Sequence, residues 1–303
     1  MQTLRELRRQ LVAAGIRPRR RLGQNFLIDA NLLAALLALA EPSPDACVLE
    51  VGAATGSLTE ELLEHCRRVV AVEADRRLAE LLRKRLGERG NLTVIVGDAL
   101  AGKHALAPAV LDALDERAQL VANLPYSIAT PLVALCLSAS WHAERAADGQ
   151  AGAAGPPRFD RLTFTVQQEV ADRLLAGPGS GAYGPISVLV ALLARGRAGP
   201  AVPATAFWPR PKVASRMVRL DYDPAAAARL ADLDALQHVL RVAFAQRRKQ
   251  LGSLRKRRDA PAAPGALDAA FAAAGIAPAG RPADVGPEQY RALADALAEP
   301  GGA

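Results

Sequence analysis

Along the chain, apolar runs of strand length alternate with stretches whose apolar residues recur every three or four positions. Leu4, Leu7 and Leu11 share one face of a helix predicted over Met1–Ala14. Asp29 is placed to cap an apolar helix that runs to Ala40. Strands are predicted at Cys47–Val51, Arg68–Val72, Leu92–Val96, Leu120–Ala122 and Leu162–Val166. Helices are predicted at Leu58–His65, Arg76–Leu86, Pro131–Leu137 and Glu169–Leu175. Residues 142–158 and 177–185 are rich in Gly, Pro and Ala and read as loops, and Ala214–Leu220 alternates like a closing strand. From Pro224 onward only helical patterns occur, broken by Pro/Gly segments at 260–265 and 277–287. This order predicts an α/β fold: a parallel sheet with helices on both faces and ligands at the carboxyl ends of its strands, then a small all-helical domain. The expected boundaries are a basic arm over 1–30, a main domain over 31–222 and a helical domain over 223–303.

Composition narrows the class. Half of the 303 residues are hydrophobic and 23% are charged, which suits a soluble globular protein. The longest apolar runs, Leu32–Ala40 and Ile186–Ala194, are about half of what a bilayer span needs. The Arg-rich start is not followed by a long apolar region, so no signal peptide is expected. Cys47, Cys66 and Cys136 are an odd count without a CxxC, which argues against a disulfide framework, a zinc cluster and secretion, and for a reducing cytoplasm.

The net charge of +7 is unevenly placed. Residues 1–21 carry seven Arg against the single acid Glu6, and residues 241–258 carry eight Lys/Arg and no acid. The rest of the chain is therefore net negative. A lone basic run is as often a solvated face as a binding surface. Two such runs on a nucleotide-type fold point to a nucleic-acid partner.

Four strand ends carry candidate chemistry. After the first predicted sheet strand comes Glu50-Val51-Gly52-Ala53-Ala54-Thr55-Gly56-Ser57-Leu58-Thr59. It is neither a dinucleotide fingerprint nor a P-loop, because only Gly52 fits G-x-G-x-x-G and no Lys-Ser/Thr follows Gly56. It resembles motif I of S-adenosylmethionine-dependent methyltransferases. Glu73 follows Gly52 by 21 positions, the spacing at which an acid accepts ribose hydroxyls. Asp75 suits the cap of the next helix. Asp98, after the third strand, is placed to accept from an adenine amine. Asn123-Leu124-Pro125-Tyr126 after the fourth strand is similar to the (D/N/S)-P-P-Y signature of amino-group methyltransferases. An adenine N6 amine is a poor nucleophile, because its lone pair is delocalised into the ring. The Asn123 and Leu124 carbonyls would accept its hydrogens, Pro125 would fix the backbone and Tyr126 would stack on an extruded base.

Taken together, five segments resemble the ribosomal RNA adenine dimethyltransferase family, most closely its bacterial small-subunit group. They are Arg21–Leu27 (R-L-G-Q-N-F-L), the glycine loop, Asn123–Pro131 (N-L-P-Y-S-I-A-T-P), Phe207–Ser215 (F-W-P-R-P-K-V-A-S) and Phe244–Lys249 (F-A-Q-R-R-K). The resemblance spans about residues 17–297. It implies a Rossmann-like class I methyltransferase sheet with a small C-terminal helical domain. The implied reaction is S-adenosylmethionine-dependent dimethylation of two adjacent adenosines near the 3′ end of small-subunit (16S) rRNA, on the assembling 30S subunit. The implied enzyme is a cytoplasmic monomer without a metal.

Carried over by position, the cofactor contacts are Asn25, Leu27, Gly52, Glu73, Asp98 and Asn123. The catalytic set is Asn123, Leu124, Pro125, Tyr126 and Phe207, with Tyr126 and Phe207 sandwiching the base, although Phe207 reads equally well as a core aromatic. Arg247, Arg248 and Lys249 would meet rRNA phosphates. The family usually has Pro-Gly where this chain has Ala53-Ala54. Ala54 is expected to keep a negative φ, and cofactor binding to survive. Ser127 replaces a common Asn. No general base is expected, and the scattered His65, His104, His142 and His238 receive no role. Two other readings stay open: a large-subunit rRNA methyltransferase of the antibiotic-resistance type, which shares N-L-P-Y, and an assembly or transcription factor without turnover.

Overall fold

A computed structural model describes residues 2–19, 23–102, 105–146 and 155–298. Arg21 and Leu22 of the first family segment, His104, and part of the 142–158 loop fall outside the described residues.

The chain divides into two compact units. The first comprises residues 1–171 and 197–222, the second residues 172–196 and 223–303. The strand end at 222 is the expected boundary, but 172–196 groups with the C-terminal helices rather than with the main domain. The reason lies in α8 (Pro185–Leu193), which is apolar around its circumference with seven buried residues and packs against α10 (Leu233–Phe244) and α12 (Pro287–Ala298). An aromatic series, Tyr183, Phe244 and Tyr290, with centroids 6.1 and 5.7 Å apart, fills that unit. The two phenols donate to the Val285 and Pro282 carbonyls, so neither is left unpaired. The short α9 (Pro224–Ala227) and α11 (Pro264–Ala273) complete the unit's α-helices among the described residues.

The first unit is built on β2 (Cys47–Val51), β3 (Arg68–Glu73), β4 (Leu92–Val96), β5 (Arg117–Asn123), β6 (Arg158–Gln167) and β9 (Ser215–Tyr222). With β7 (Ala194–Val202) they form a seven-stranded sheet in the order β4-β3-β2-β5-β6-β9-β7. The five strands from β4 to β6 are parallel, and β9 runs antiparallel to β6. The sheet is thus mixed, where alternation alone predicted a wholly parallel one. β2 is buried at every residue and β3 at all but its first, so both faces are covered there. Helices α2 (Ala30–Ala40) and α3 (Ser57–His65) supply Leu33, Leu36, Leu58 and Leu62 to the core on one face. Asp29 caps α2 by accepting from the Leu32 N–H at 3.1 Å, and Asp75 caps α4 (Arg76–Leu86) through Arg77. Helices α5 (Pro108–Ala113), α6 (Ala129–Arg145) and α7 (Gln168–Leu174) follow β4, β5 and β6.

Two elements hold the N-terminal arm. α1 (Leu4–Ala13) carries a capping box between Thr3 and Glu6 and buries Leu7 and Leu11 against Ile16, Phe26 and Leu78. β1 (Phe26–Leu27) pairs antiparallel with β8 (Phe207–Trp208), which brings together two segments 180 residues apart. Trp208 stacks on Phe26 at 6.3 Å and lies beneath the Arg8 guanidinium at 5.1 Å.

Candidate functional site

The strand order reverses at β2. β3 lies on one side of it and β5 on the other, so the loops leaving β2 and β5 come out side by side at the carboxyl edge. Such a switch point opens a crevice in any sheet of this kind. Here the two loops touch. A Cβ added at Gly52 would stand 3.1 Å from Pro125 Cγ and 3.2 Å from its Cδ. The Gly52 and Ala53 N–H groups both donate to the Val72 carbonyl, at 2.8 and 3.2 Å, which folds the loop back over β3. The resulting cavity opens at the carboxyl edge of the sheet and is lined by both loops and by the N-terminal arm.

All six expected cofactor contacts line this cavity: Asn25, Leu27, Gly52, Glu73, Asp98 and Asn123. Glu73 is buried, and its two carboxylate oxygens accept the Ala54 and Asp75 N–H groups, each at 2.8 Å. Burial pushes its carboxyl above the usual range, and these backbone donors oppose that rise. Asp98 is exposed and accepts the Leu100 N–H with one oxygen.

Glu50 also lines the cavity, and the sequence reading gave it no role. It is 3% exposed, accepts the Thr59 hydroxyl at 2.6 Å, and is pushed up to about 8 by burial, with the Glu73 charge adding to the effect. The first letter of the E-x-G motif was the available signal.

Ala54 differs from expectation. It adopts φ = +54°, between Gly52 at +80° and Gly56 at +82°. The turn needs this left-handed residue to aim the Ala54 N–H at Glu73, and the methyl group packs against the cluster beneath α1. For a residue with a Cβ this conformation costs about 1–2 kcal/mol.

At the β5 turn, Asn123 donates through Nδ2 to the Asn25 carbonyl at 3.1 Å. That bond holds the side chain against the arm and leaves its own carbonyl oxygen without a donor among the described residues. Pro125 lines the cavity, whereas Leu124 is buried and gives its N–H to the Thr165 carbonyl at 3.2 Å. Tyr126 is half-buried beside the cavity lining, and its hydroxyl shares a 2.8 Å hydrogen bond with Ser215 Oγ. Phe207 does not face it across an open slot. It is 3% exposed and packs in the core with Leu33, Leu36 and Met217, so the core reading of this residue describes the structure. The pairing of β1 with β8 explains why: successive residues of a strand point to opposite faces, and Phe207 takes the inner one while Trp208 takes the face toward α1.

A profile of the ribosomal RNA adenine dimethylase family matches residues 15–279. The chain belongs to that family. It is 39% identical over 297 residues, 98% of this chain and 94% of the relative, to a protein of Phenylobacterium zucineum named ribosomal RNA small subunit methyltransferase A. A protein of the same name from Thermobifida fusca is 36% identical, covering 96% of this chain and 94% of the relative. Among solved structures, the dimethyladenosine transferase of Plasmodium falciparum shares the fold with a TM-score of 0.64 and 24% identity over 88% of this chain and 95% of its own. The 23S rRNA methyltransferase ErmE gives 0.58 and 28%, over 90% and 99%. The protein is a methyltransferase of the Rossmann-like class.

For this dimethylase-family chain, the structure adds cavity residues that received no role from the sequence. Gln2 and Leu7 from the α1 region, Gln24, Ser127 and Ile128 also line the cavity. Gln2 and Leu7 stand in no motif and carry no signal in the sequence. The Arg247-Arg248-Lys249 run lies in the second unit, exposed just past the C-terminus of α10, with Arg247 donating to the Gly181 carbonyl at 2.9 Å. Among the described residues no group of His, Cys, Asp and Glu could hold a metal ion, and no helix is long and apolar enough to cross a membrane.

Two predictions follow from the strained loop and the buried acid. Ala54→Gly removes the left-handed penalty at the cost of some chain entropy, so it is expected to raise stability by about 1 kcal/mol, read as a higher urea midpoint. Glu50 keeps its proton up to about pH 8 when folded, against its ordinary value of 4.5. The folded state binds the extra proton across that window, so this group makes stability fall as pH rises from about 4.5 to 8. Glu50→Gln, which keeps an acceptor for Thr59, should flatten that decline, measured as urea midpoints at pH 5, 6, 7 and 8.

Proposed function

We propose that the protein dimethylates the N6 amines of two adjacent adenosines near the 3′ end of small-subunit rRNA, with S-adenosylmethionine as donor, during small-subunit assembly. The observation that carries this reading is Asn123: an amide fixed at the cavity wall by the Asn25 carbonyl, with its own carbonyl oxygen still available as an acceptor. The relatives named as small-subunit methyltransferases, up to 39% identical over nearly the whole chain, support small-subunit rRNA as the substrate over the 28% likeness to a 23S enzyme.

The residues present fit the cofactor. The Glu73 and Asp98 carboxylates are acceptors for ribose hydroxyls and an adenine amine, and Gly52 leaves the floor of the cavity free of a side chain. Leu27 and Asn25 would cover it from the arm. When bound, S-adenosylmethionine supplies a methyl group on a positively charged sulfur. The chain's own part is orientation. An accepted hydrogen bond from N6 to Asn123 favours a pyramidal nitrogen and turns its lone pair into the cavity. Tyr126, its hydroxyl held by Ser215, offers a ring of fixed plane for an extruded base. Among the described residues no histidine lines the cavity, and the amine, cationic once it has taken the methyl group, is acidic enough to lose its proton to water. The enzyme is read as a cytoplasmic monomer that meets the 30S particle through the basic run after α10.

Mass analysis of the 16S rRNA 3′ region from cells with and without the protein should show two dimethyladenosines that depend on it. Methylation of 23S rRNA instead, or of neither, would overturn the assignment. Asn123→Ala should lower kcat on small subunits by about 100-fold or more while leaving the melting temperature near that of the parent protein. Replacing Arg247, Arg248 and Lys249 together by Ala should reduce the slope of log affinity against log salt for rRNA by about 2.

A further inference from the structure

The site described above has one wall that no family motif supplies. Gln2 precedes α1, whose start is fixed by the capping box of Thr3 and Glu6. Its side chain is 7% exposed and lines the cavity. Its amide lies 2.9 Å from Thr55 Oγ1 and 3.0 Å from the Gln10 carboxamide. With its amino group toward Thr55, its carbonyl accepts from the Arg85 guanidinium at 2.8 and 3.0 Å. Arg85 is itself bonded to the Thr55 carbonyl and to Glu60, so the amide orientation is set by a charged group. α1 is pinned elsewhere by Arg77, which donates to the Ala14 carbonyl at 2.6 Å, and by Arg8 on Trp208.

The polar lining of the cavity is divided by chemistry. Glu73 and Asp98 are acceptors and suit the hydroxyls and amine of a nucleoside. Around Gln2 the lining changes character: with its carbonyl on Arg85, the Gln2 amino group gives one proton to Thr55 Oγ1 and keeps a second, and the Thr55 and Ser57 hydroxyls and the first N–H groups of α3 add further donors. Donors at a helix start favour a carboxylate. In S-adenosylmethionine the carboxylate belongs to the amino-acid end.

We infer that Gln2 is a cofactor-binding residue, through which α1 grips the amino-acid carboxylate of S-adenosylmethionine. This rests on the proposed use of that cofactor. Calorimetry on the full-length protein, with S-adenosylhomocysteine and with 5′-methylthioadenosine as probes, tests it. The second probe keeps the nucleoside and lacks the amino-acid end. Gln2→Ala should weaken S-adenosylhomocysteine about tenfold and leave 5′-methylthioadenosine unchanged. Gln2→Glu, which sets a second negative charge against the carboxylate, should weaken the first probe further. Equal loss for both probes would make Gln2 a structural residue and overturn the inference, as would unchanged affinity for S-adenosylhomocysteine. Thermal melts without ligand establish that each variant is folded. If the unsubstituted protein binds neither probe, the cofactor assignment itself fails, an outcome distinct from an insensitive Gln2.

Discussion

The van der Waals contact between Gly52 and Pro125 is the constraint from which the site follows. Parallel strands β2 and β5 are neighbours, so their exit loops compete for the same space above the sheet edge. At this left-handed position a Cβ would be strained and would press on Pro125 more tightly than side chains normally pack, so glycine lets the loops close. Once they meet, the glycine loop is pressed against β3, where the Val72 carbonyl takes two of its N–H groups and Glu73 takes a third. The other loop is drawn to the arm through Asn123 and Asn25. Three segments far apart in sequence are thereby locked around one space before any ligand arrives.

That locking has costs that sit in the loop itself. Ala54 is held left-handed, and two carboxyl groups, Glu50 and Glu73, are buried within the same wall. Each is tolerated because a specific partner over-determines it: Glu73 for the Ala54 N–H, Thr59 for Glu50, and the backbone of Ala54 and Asp75 for Glu73. A wall built this way is preorganised. Its dipoles need no rearrangement when substrate enters, which is the physical source of catalysis by positioning.

The fold was legible wherever burial imposes periodicity. β2 and α4 fall on the predicted residues because each has an apolar run or stripe that is buried, and β4 does so on its β-branched Thr93-Val94-Ile95-Val96 although none of its residues is fully buried. β7 was invisible for the opposite reason. Its Ala-Arg-Gly-Arg-Ala-Gly-Pro reads as a loop, yet an edge strand needs partners on one side only and tolerates Gly, Pro and charge. The two-residue pair of β1 and β8 is too short to have a period, and with it went the fact that Phe207 turns inward. Most of the cavity was legible because loops at strand ends carry fixed spacings. The share contributed by Gln2 and Leu7 was not, since a helix packed over a site leaves only an ordinary amphipathic pattern. The sign of φ at Ala54 is a further miss of this kind: residue preference argued one way, and the geometry of the surrounding turn decided otherwise.

Charge clustering in the sequence pointed to a phosphate-rich partner, and the structure shows how much of that charge is already engaged. In the arm, Arg8 covers Trp208 and Arg19 lies 3.7 Å from Asp75, while the apolar face of α1 turns to the site. Beyond α10, Arg255 pairs with Asp268 and Arg257 with Asp259, an acid just past the run that looked uncompensated. A cation held by a carboxylate must break that pair, or share it, before it can displace counterions from RNA, so its net gain on binding is small. The electrostatic footprint therefore contracts from the whole of 241–258 to its members without acidic partners among the described residues, chiefly Arg247, Arg248 and Lys249. Counting basic residues along a sequence overstates the number of phosphates that such a surface can meet, and the pairing pattern tells which to subtract.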